Sequence, residues 1–78
     1  MYTEEELDKR INRLVGQING IRKMIHAKRE PGAIAQQIIA AREALSRLGL
    51  IVMTEGIHAA SPESEKKITK LMKIVFRI

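Results

Sequence analysis

Two apolar seams with heptad spacing constrain the fold more than any other feature of this 78-residue chain. The first seam advances in steps of four and three through Leu7, Ile11, Leu14, Ile18, Ile21 and Ile25. The second advances in the same steps through Ile34, Ile38, Ala41, Leu45, Leu48 and Val52. A repeat of about 3.5 residues is typical of long helices that pack side by side. The sequence therefore predicts two long helices with a corner at Pro31-Gly32 between them.

Capping residues place the helix ends and indicate a third helix. Thr3 followed by Glu6 is a capping-box pattern, which predicts a first helix over about residues 4–28. Pro31 suits the first turn of a second helix over about residues 31–60. Ser61 and Pro62 are typical of an N-cap and first position, so a third helix is predicted over about residues 62–78. Strand signals are absent, and we predict one all-α domain spanning residues 1–78.

The burial of the seams predicts an oligomer. Two long helices with a short connection must form an antiparallel hairpin. One hairpin leaves half of each seam exposed, together with Ile39, Ile51 and Met53 beside the second seam. A chain of this length buries only about 60% of its unfolded surface. We therefore expect two hairpins to pack as a four-helix bundle. Gly16 and Gly20 within the first helix predict a close helix contact at a second interface.

The positive charge is concentrated in the first helix. The chain has a net charge of +5; residues 1–8 carry four acids and no base, whereas residues 9–29 carry seven Lys and Arg and no acid. Such a basic helix indicates a polyanionic partner, and DNA, RNA or an anionic membrane would each qualify. Tyr2 and Phe76 are the two aromatic residues and cannot form the stacking platform that single strands require. Duplex is therefore favoured over single-stranded nucleic acid.

Helical geometry groups some of these basic residues. At about 100° per residue, Arg10, Arg13 and Gln17 lie on one flank of the first seam. An antiparallel hairpin that turns near residues 30 and 31 brings Arg47 to the level of residue 14. We interpret Arg10, Arg13 and Arg47, with Lys9 beside them, as DNA-binding residues; a solvated basic face is the alternative.

Other kinds of site find little support. The absence of cysteine excludes disulfides, thiolate metal ligands and a cysteine nucleophile. Glu55 and His58 are spaced for metal contact but form only a pair, and an ordinary surface histidine is favoured. No catalytic constellation is recognisable, and helical chorismate mutases share nothing beyond basic helices. We expect no enzyme, no cofactor and no bound metal. Without a long apolar run or a leader, the chain is expected to be soluble and cytoplasmic, with no membrane partner.

The segments RINRLVGQINGIRKMI and AIAQQIIAAREALSRLGL resemble the copper-sensitive operon repressor family, which also contains repressors that respond to nickel or cobalt, persulfide and formaldehyde. The resemblance covers about residues 5–76, in order and without gaps. It implies an all-α hairpin dimer with a short third helix, assembled into a flat tetramer that binds operator DNA. It also implies DNA contacts at Arg10 and Arg47, whereas Arg13 and Lys9 come from the helical geometry alone.

The same resemblance identifies where this chain departs from the family. The family senses through a cysteine at the start of helix 2 and, near its end, a histidine followed four residues later by cysteine or histidine. Those places hold Pro31, Gly56 and Ala60, none of which can bind a metal or react with formaldehyde or sulfur. Neighbouring positions hold Glu30 and Lys70, and Lys70 would repel a cation. The sequence predicts a DNA-binding repressor that has lost the family's effector site.

Three mechanisms remain open for such a repressor. It could bind DNA constitutively, respond to an unidentified ligand, or modulate a ligand-competent paralogue through mixed oligomers. A rival hypothesis from another class is a helical interaction protein that kept the fold and no longer binds DNA.

Overall fold

A computed structural model describes residues 2–59 and 61–76, with the backbone alone for residues 56–59. The described part contains three helices and no strand: α1 (Glu4–His26), α2 (Pro31–Ala59) and α3 (Pro62–Val75). The all-α class is confirmed, as are the two long helices predicted from the seams and the third helix predicted from its capping residues. α1 ends two residues before the predicted end and α3 ends at Val75, whereas Ala60 and residues 77–78 lie outside the described residues.

Hydroxyl caps begin α1 and α3 at the predicted residues. Thr3 Oγ1 accepts a hydrogen bond from the Glu6 backbone N–H at 3.1 Å. Ser61 Oγ accepts one from the Ser64 N–H at 3.3 Å, and Pro62 follows it at the first helical position. Each cap satisfies a backbone donor that has no partner inside its helix. The two helix starts could therefore be predicted from these short patterns.

α1 ends in a left-handed turn that is built without glycine. The Lys28 N–H donates to the Ile25 carbonyl at 3.1 Å, and the Arg29 N–H donates to the Met24 carbonyl at 3.0 Å. These two bonds form a Schellman motif, which requires a left-handed residue just after the helix. Lys28 has a φ of 54° and is the residue that adopts this conformation. A side chain with a Cβ is strained there, which glycine would not be.

The corner of the hairpin lies before Pro31-Gly32 and not at this pair as predicted, whereas the predicted start of the second helix at Pro31 is confirmed. Pro31 and Gly32 are the first two residues of α2, and residues 27–30 form the connection. The Glu30 carboxylate caps α2 by accepting from the Gly32 N–H at 2.9 Å and the Ala33 N–H at 3.1 Å. A Cβ on Gly32 would lie only 2.9 Å from Glu30 Oε1. Glycine at this position leaves room for the capping carboxylate.

Lys28→Gly should raise the free energy of unfolding by about 1 kcal/mol, because glycine adopts the left-handed conformation without the Cβ clash. Urea unfolding at one fixed protein concentration measures the change. Lys28→Ala is the matched control, since it removes the same charge but keeps the Cβ. Equal stability of the Gly and Ala variants would contradict the prediction.

The three helices form a layer one helix thick. α2 lies in the middle and packs against α1 along one side and α3 along the other. The molecule measures 49 × 28 × 13 Å, and its thickness is close to the diameter of about 10–12 Å of a single helix with side chains. Leu14, 9% exposed, is the one buried hydrophobic residue of the described chain. One protomer therefore has little core of its own.

Each seam divides into alternate residues that face different surroundings. One half is buried or half-buried between the helices and consists of Leu7, Leu14, Ile21, Ile34, Ala41 and Leu48. The other half is exposed, and we call it the apolar face: Ile11, Ile18, Ile25, Ile38, Leu45 and Val52. Both halves repeat every seven residues, so each seam contacts its hairpin partner and also presents a continuous apolar row.

Ile39 does not lie on the apolar face, although the sequence predicted that it would be buried with that face between two hairpins. A helix turns by about 100° per residue, so Ile39 points away from its neighbour Ile38. It lines a groove between α2 and α3 that also contains Val75 and Phe76. Ile51 and Met53 are half-buried within the protomer. The position of Ile39 differs from the expected one because α3 packs on that side of α2.

The two glycines of α1 have open space beside them in the protomer. A Cβ placed on Gly16 or on Gly20 would have no heavy atom within 4 Å. Neither glycine is therefore needed for packing inside the described hairpin. Their predicted role at an interface between subunits stays a prediction.

Candidate nucleic-acid interface

Three arginines from two helices line one shallow depression of the layer. The depression has a volume of about 300 Å³ and lies between α1 and α2. It is lined by Arg10, Arg13 and Gln17 of α1 and by Ala40, Glu43, Ala44 and Arg47 of α2. We call the surface around it the arginine face. The structure thus brings together Arg10, Arg13 and Arg47, which helical geometry had grouped.

The helix register explains why these side chains converge. Residues three and four apart lie on one side of a helix, so Arg10, Arg13 and Gln17 form a row. The antiparallel packing of α2 brings Arg47 beside that row. Ala40 and Ala44 supply only methyl groups, which leaves the space between the helices open. Small residues on α2 thus create the depression, and long residues from both helices surround it.

The arginine face and the apolar face lie on opposite flanks of Leu14, the buried residue of the first seam. At about 100° per residue, Arg10, Arg13 and Gln17 are rotated to one flank of Leu14, whereas Ile11 and Ile18 are rotated to the other. A second hairpin packed on the apolar face would therefore leave the arginine face open to a partner.

The arginines of this face have no carboxylate partner within the described chain. Arg13 and Arg47 are exposed and Arg10 is half-buried. The one ion pair of the described residues joins Lys9 Nζ to Glu5 Oε1 at 3.8 Å, with both side chains exposed. The guanidinium groups therefore keep their hydrogen-bond donors available to an anion.

Lys9 lies apart from the three arginines. It does not line the depression, and its ammonium is directed to Glu5 one turn earlier on α1. Exposed pairs of this kind contribute little energy, so Lys9 remains free to contact an anion nearby. Helical geometry had placed Lys9 beside the arginines, whereas adjacent residues of a helix such as Lys9 and Arg10 point about 100° apart.

Two residues near the arginines were missed by the sequence analysis. Glu43 lines the depression and places a negative charge beside Arg47. Arg42 lies with Glu43 and Arg47 in the groove between α2 and α3, which has a volume of about 640 Å³. Neither belongs to the α1 row from which the site was predicted. The antiparallel register that located Arg47 could also have located Glu43, four residues earlier on the same side of α2.

Arg10 has a further neighbour from outside the helices. Its Cζ lies over the ring of Tyr2, 5.3 Å from the ring centroid. The Tyr2 backbone N–H donates to Glu55 Oε1 at 2.6 Å, across 53 positions of the chain. Tyr2 thus connects the segment before α1 with the second half of α2. Periodicity gave no signal for this contact, because Tyr2 precedes the helix and has no helical phase.

A family model described as metal-sensitive transcriptional repressor matches residues 3–77. The chain belongs to that family. The match confirms the resemblance drawn from the two helical segments, and it covers all three helices. No curated protein and no solved structure gives a significant match. The family is one of transcriptional regulators, which agrees with a site built from arginines rather than from catalytic groups.

The residues at the family's sensing positions do not fit a metal. Pro31 forms the first turn of α2 and has no donor atom, and Gly56 has no side chain. Ala60, outside the described residues, carries only a methyl group. The nearby carboxylate of Glu30 is already occupied with two backbone N–H groups of α2. No cluster of three or more His, Cys, Asp or Glu able to hold a metal occurs in the described chain.

Lys70 occupies an exposed place on α3. It lies one turn from Lys66 and from Lys73, so the three ammonium groups follow one side of the helix. Such a row disfavours a cation and is compatible with a solvated face or a second contact with an anion. Within the described residues, none of the helices is long and apolar enough to cross a membrane.

Proposed function

We propose that this protein is a DNA-binding transcriptional repressor that works without the metal or thiol effector site of its family. The observation that carries the proposal is the convergence of Arg10, Arg13 and Arg47, none of them paired with a carboxylate in the described chain. Guanidinium groups bind phosphates with two parallel hydrogen bonds, and a row of them follows a duplex backbone. The protein acts as a regulator and not as an enzyme.

The proposed active form is an oligomer. Two protomers join through their apolar faces into a four-helix bundle, and two such dimers form a flat tetramer. The support is the pattern of exposure, in which alternate seam residues are left uncovered at seven-residue intervals on both long helices. Because the arginine face lies on the opposite flank, assembly repeats the cluster on the outside of the particle.

The proposed binding mode relies on phosphates more than on base edges. The arginine face presents Arg10, Arg13 and Arg47 around a shallow depression between two packed helices, an arrangement unlike a recognition helix that aims polar side chains at base edges. Phosphate contacts fix position without reading sequence, so specificity follows from the shape and deformability of the duplex. Lys9 adds an outer contact beside the cluster.

Metal titration tests the loss of the effector site. Wild-type protein should show no stoichiometric site of submicromolar affinity for copper, nickel, cobalt or zinc, because Pro31, Gly56 and Ala60 offer no ligand. Titration calorimetry measures this directly. His26→Ala and His58→Ala are the controls, since each removes a possible weak surface site. A tight stoichiometric site in the wild type would contradict the prediction, and its loss in one of these variants would assign it to that histidine.

A second candidate is a helical interaction protein, or a modulator that acts through mixed oligomers with a paralogue. Glu43 favours it, because a carboxylate within the arginine face opposes phosphate binding. Gel shift with the duplex upstream of its own gene separates the candidates. Binding of the purified homo-oligomer supports the repressor. Binding only after a paralogue is added supports the modulator, and no binding in either case supports the interaction protein.

A further inference from the structure

We propose that Tyr2 is a positioning residue for Arg10 and that Glu55 holds Tyr2 in place for this purpose. The inference rests on the proposed DNA-binding function and adds two residues to it. Neither Tyr2 nor Glu55 lines the depression; the contacts that the structure gives them lead to Arg10 through the Tyr2 ring.

Two contacts made by one residue carry the inference. The Tyr2 backbone N–H donates to the Glu55 carboxylate at 2.6 Å, while the Tyr2 ring lies under the Arg10 guanidinium, 5.3 Å from its Cζ. The first contact fastens the segment before α1 to α2. The second contact then has a fixed ring on which the guanidinium can rest. Arg10 is accordingly half-buried, whereas Arg13 and Arg47 are exposed.

The geometry leaves Arg10 able to bind phosphate. An aromatic ring contacts the face of a guanidinium, whereas the N–H donors lie in its plane and point outward. Arg10, with the Tyr2 ring near its Cζ and no carboxylate partner in the described chain, therefore keeps the donors that a phosphate needs. A long side chain that is already ordered loses less conformational entropy when it binds. Tyr2 should consequently strengthen the DNA contact of Arg10 instead of competing with it.

Affinity for the duplex upstream of the gene, measured on the full-length oligomer, tests the inference. Tyr2→Leu should weaken binding about two- to fivefold for each arginine face that contacts DNA, the factor expected from one exposed cation–π contact. Tyr2→Phe keeps the ring and should bind like wild type. In an Arg10→Ala background, Tyr2→Leu should have no further effect. Equal losses from Tyr2→Leu with and without Arg10 would overturn the inference.

The chemical shift of the Arg10 Nε–H provides a second measurement that does not depend on DNA. The Tyr2 ring should shift this signal in wild type and in Tyr2→Phe, and the shift should disappear in Tyr2→Leu and decrease in Glu55→Ala. An unchanged signal in Tyr2→Leu would overturn the contact itself. If the wild-type oligomer does not bind the duplex, the proposed function fails. If wild type binds and Arg10→Ala binds equally well, Arg10 makes no contact with DNA, and the present inference fails while the proposed function stands. If Arg10→Ala weakens binding and Tyr2→Leu does not, only the present inference fails.

Discussion

Arg10→Ala and Arg47→Ala should each weaken binding to the duplex upstream of the gene by at least about tenfold, since each removes a charged hydrogen bond to phosphate from every contacting subunit. Each neutralised phosphate contributes about −0.9 to the slope of log affinity against log salt. With two contacting subunits, the slope should become shallower by about 1.8. Both arginines lie away from the apolar face, so helix content and oligomeric state should not change.

Arg22→Ala is the matched control for these variants. Arg22 is an exposed arginine of the same helix, and it does not line the depression. Its loss changes the net charge as much as the loss of Arg10 and should change the affinity much less. Lys9→Ala should fall between the two. Equal effects of Arg22→Ala and Arg10→Ala would show that net charge alone binds DNA and that the arginine face is an ordinary solvated surface.

Glu43→Gln tests the arginine face through the opposite effect, since it should strengthen DNA binding where the arginine variants weaken it. It removes the negative charge that lies beside Arg47 while it keeps the size of the side chain. Binding should therefore become tighter and its salt dependence steeper, because the arginines then act on phosphate without an opposing carboxylate. Glu63→Gln removes an exposed charge outside the depression and serves as the comparison. Weaker binding after Glu43→Gln would count against phosphate contacts at this site.

The long helices could be predicted because their signals are local and repeated. Leu14 and Leu48 belong to seams with one period, and Thr3 and Ser61 give the helix starts. Which half of a seam would be covered inside the protomer could not be predicted. Leu14 and Ile18 are equally apolar, and only the position of α2 decides that the first is buried and the second exposed.

At the corner and at the arginine face, too, features that depend on tertiary packing could not be predicted from the sequence. The left-handed turn falls on Lys28, a residue type that gives no signal for it, so the corner was placed at the more obvious Pro31-Gly32. Arg47 was found because the hairpin register alone brings it beside α1. Tyr2 was missed because its contacts depend on the fold of residues 53 positions away. Sequence reasoning identified what helical periodicity determines and missed what the segment outside the helices adds.

Leu45→Glu should abolish the oligomer at micromolar concentration, where wild type is expected to be a dimer at least. Leu45 is 56% exposed in the protomer and lies in the middle of the apolar face on α2. If that face packs against a second hairpin, the substitution buries a carboxylate without a partner, which costs several kcal/mol even after the group is neutralised. Because one layer has almost no core, much of the helical structure should be lost together with the oligomer.

Ile39→Glu separates an interface effect from a general loss of apolar surface. Ile39 is 54% exposed, which is close to the value for Leu45, and it lies on the same helix. It faces the groove beside α3 and not the apolar face, so its substitution should leave the dimer intact. Sedimentation velocity and circular dichroism over a concentration series measure assembly and helix content together. A wild-type chain that sediments as a stable, folded monomer, or a Leu45→Glu variant that still dimerises, would exclude the apolar face as the subunit interface.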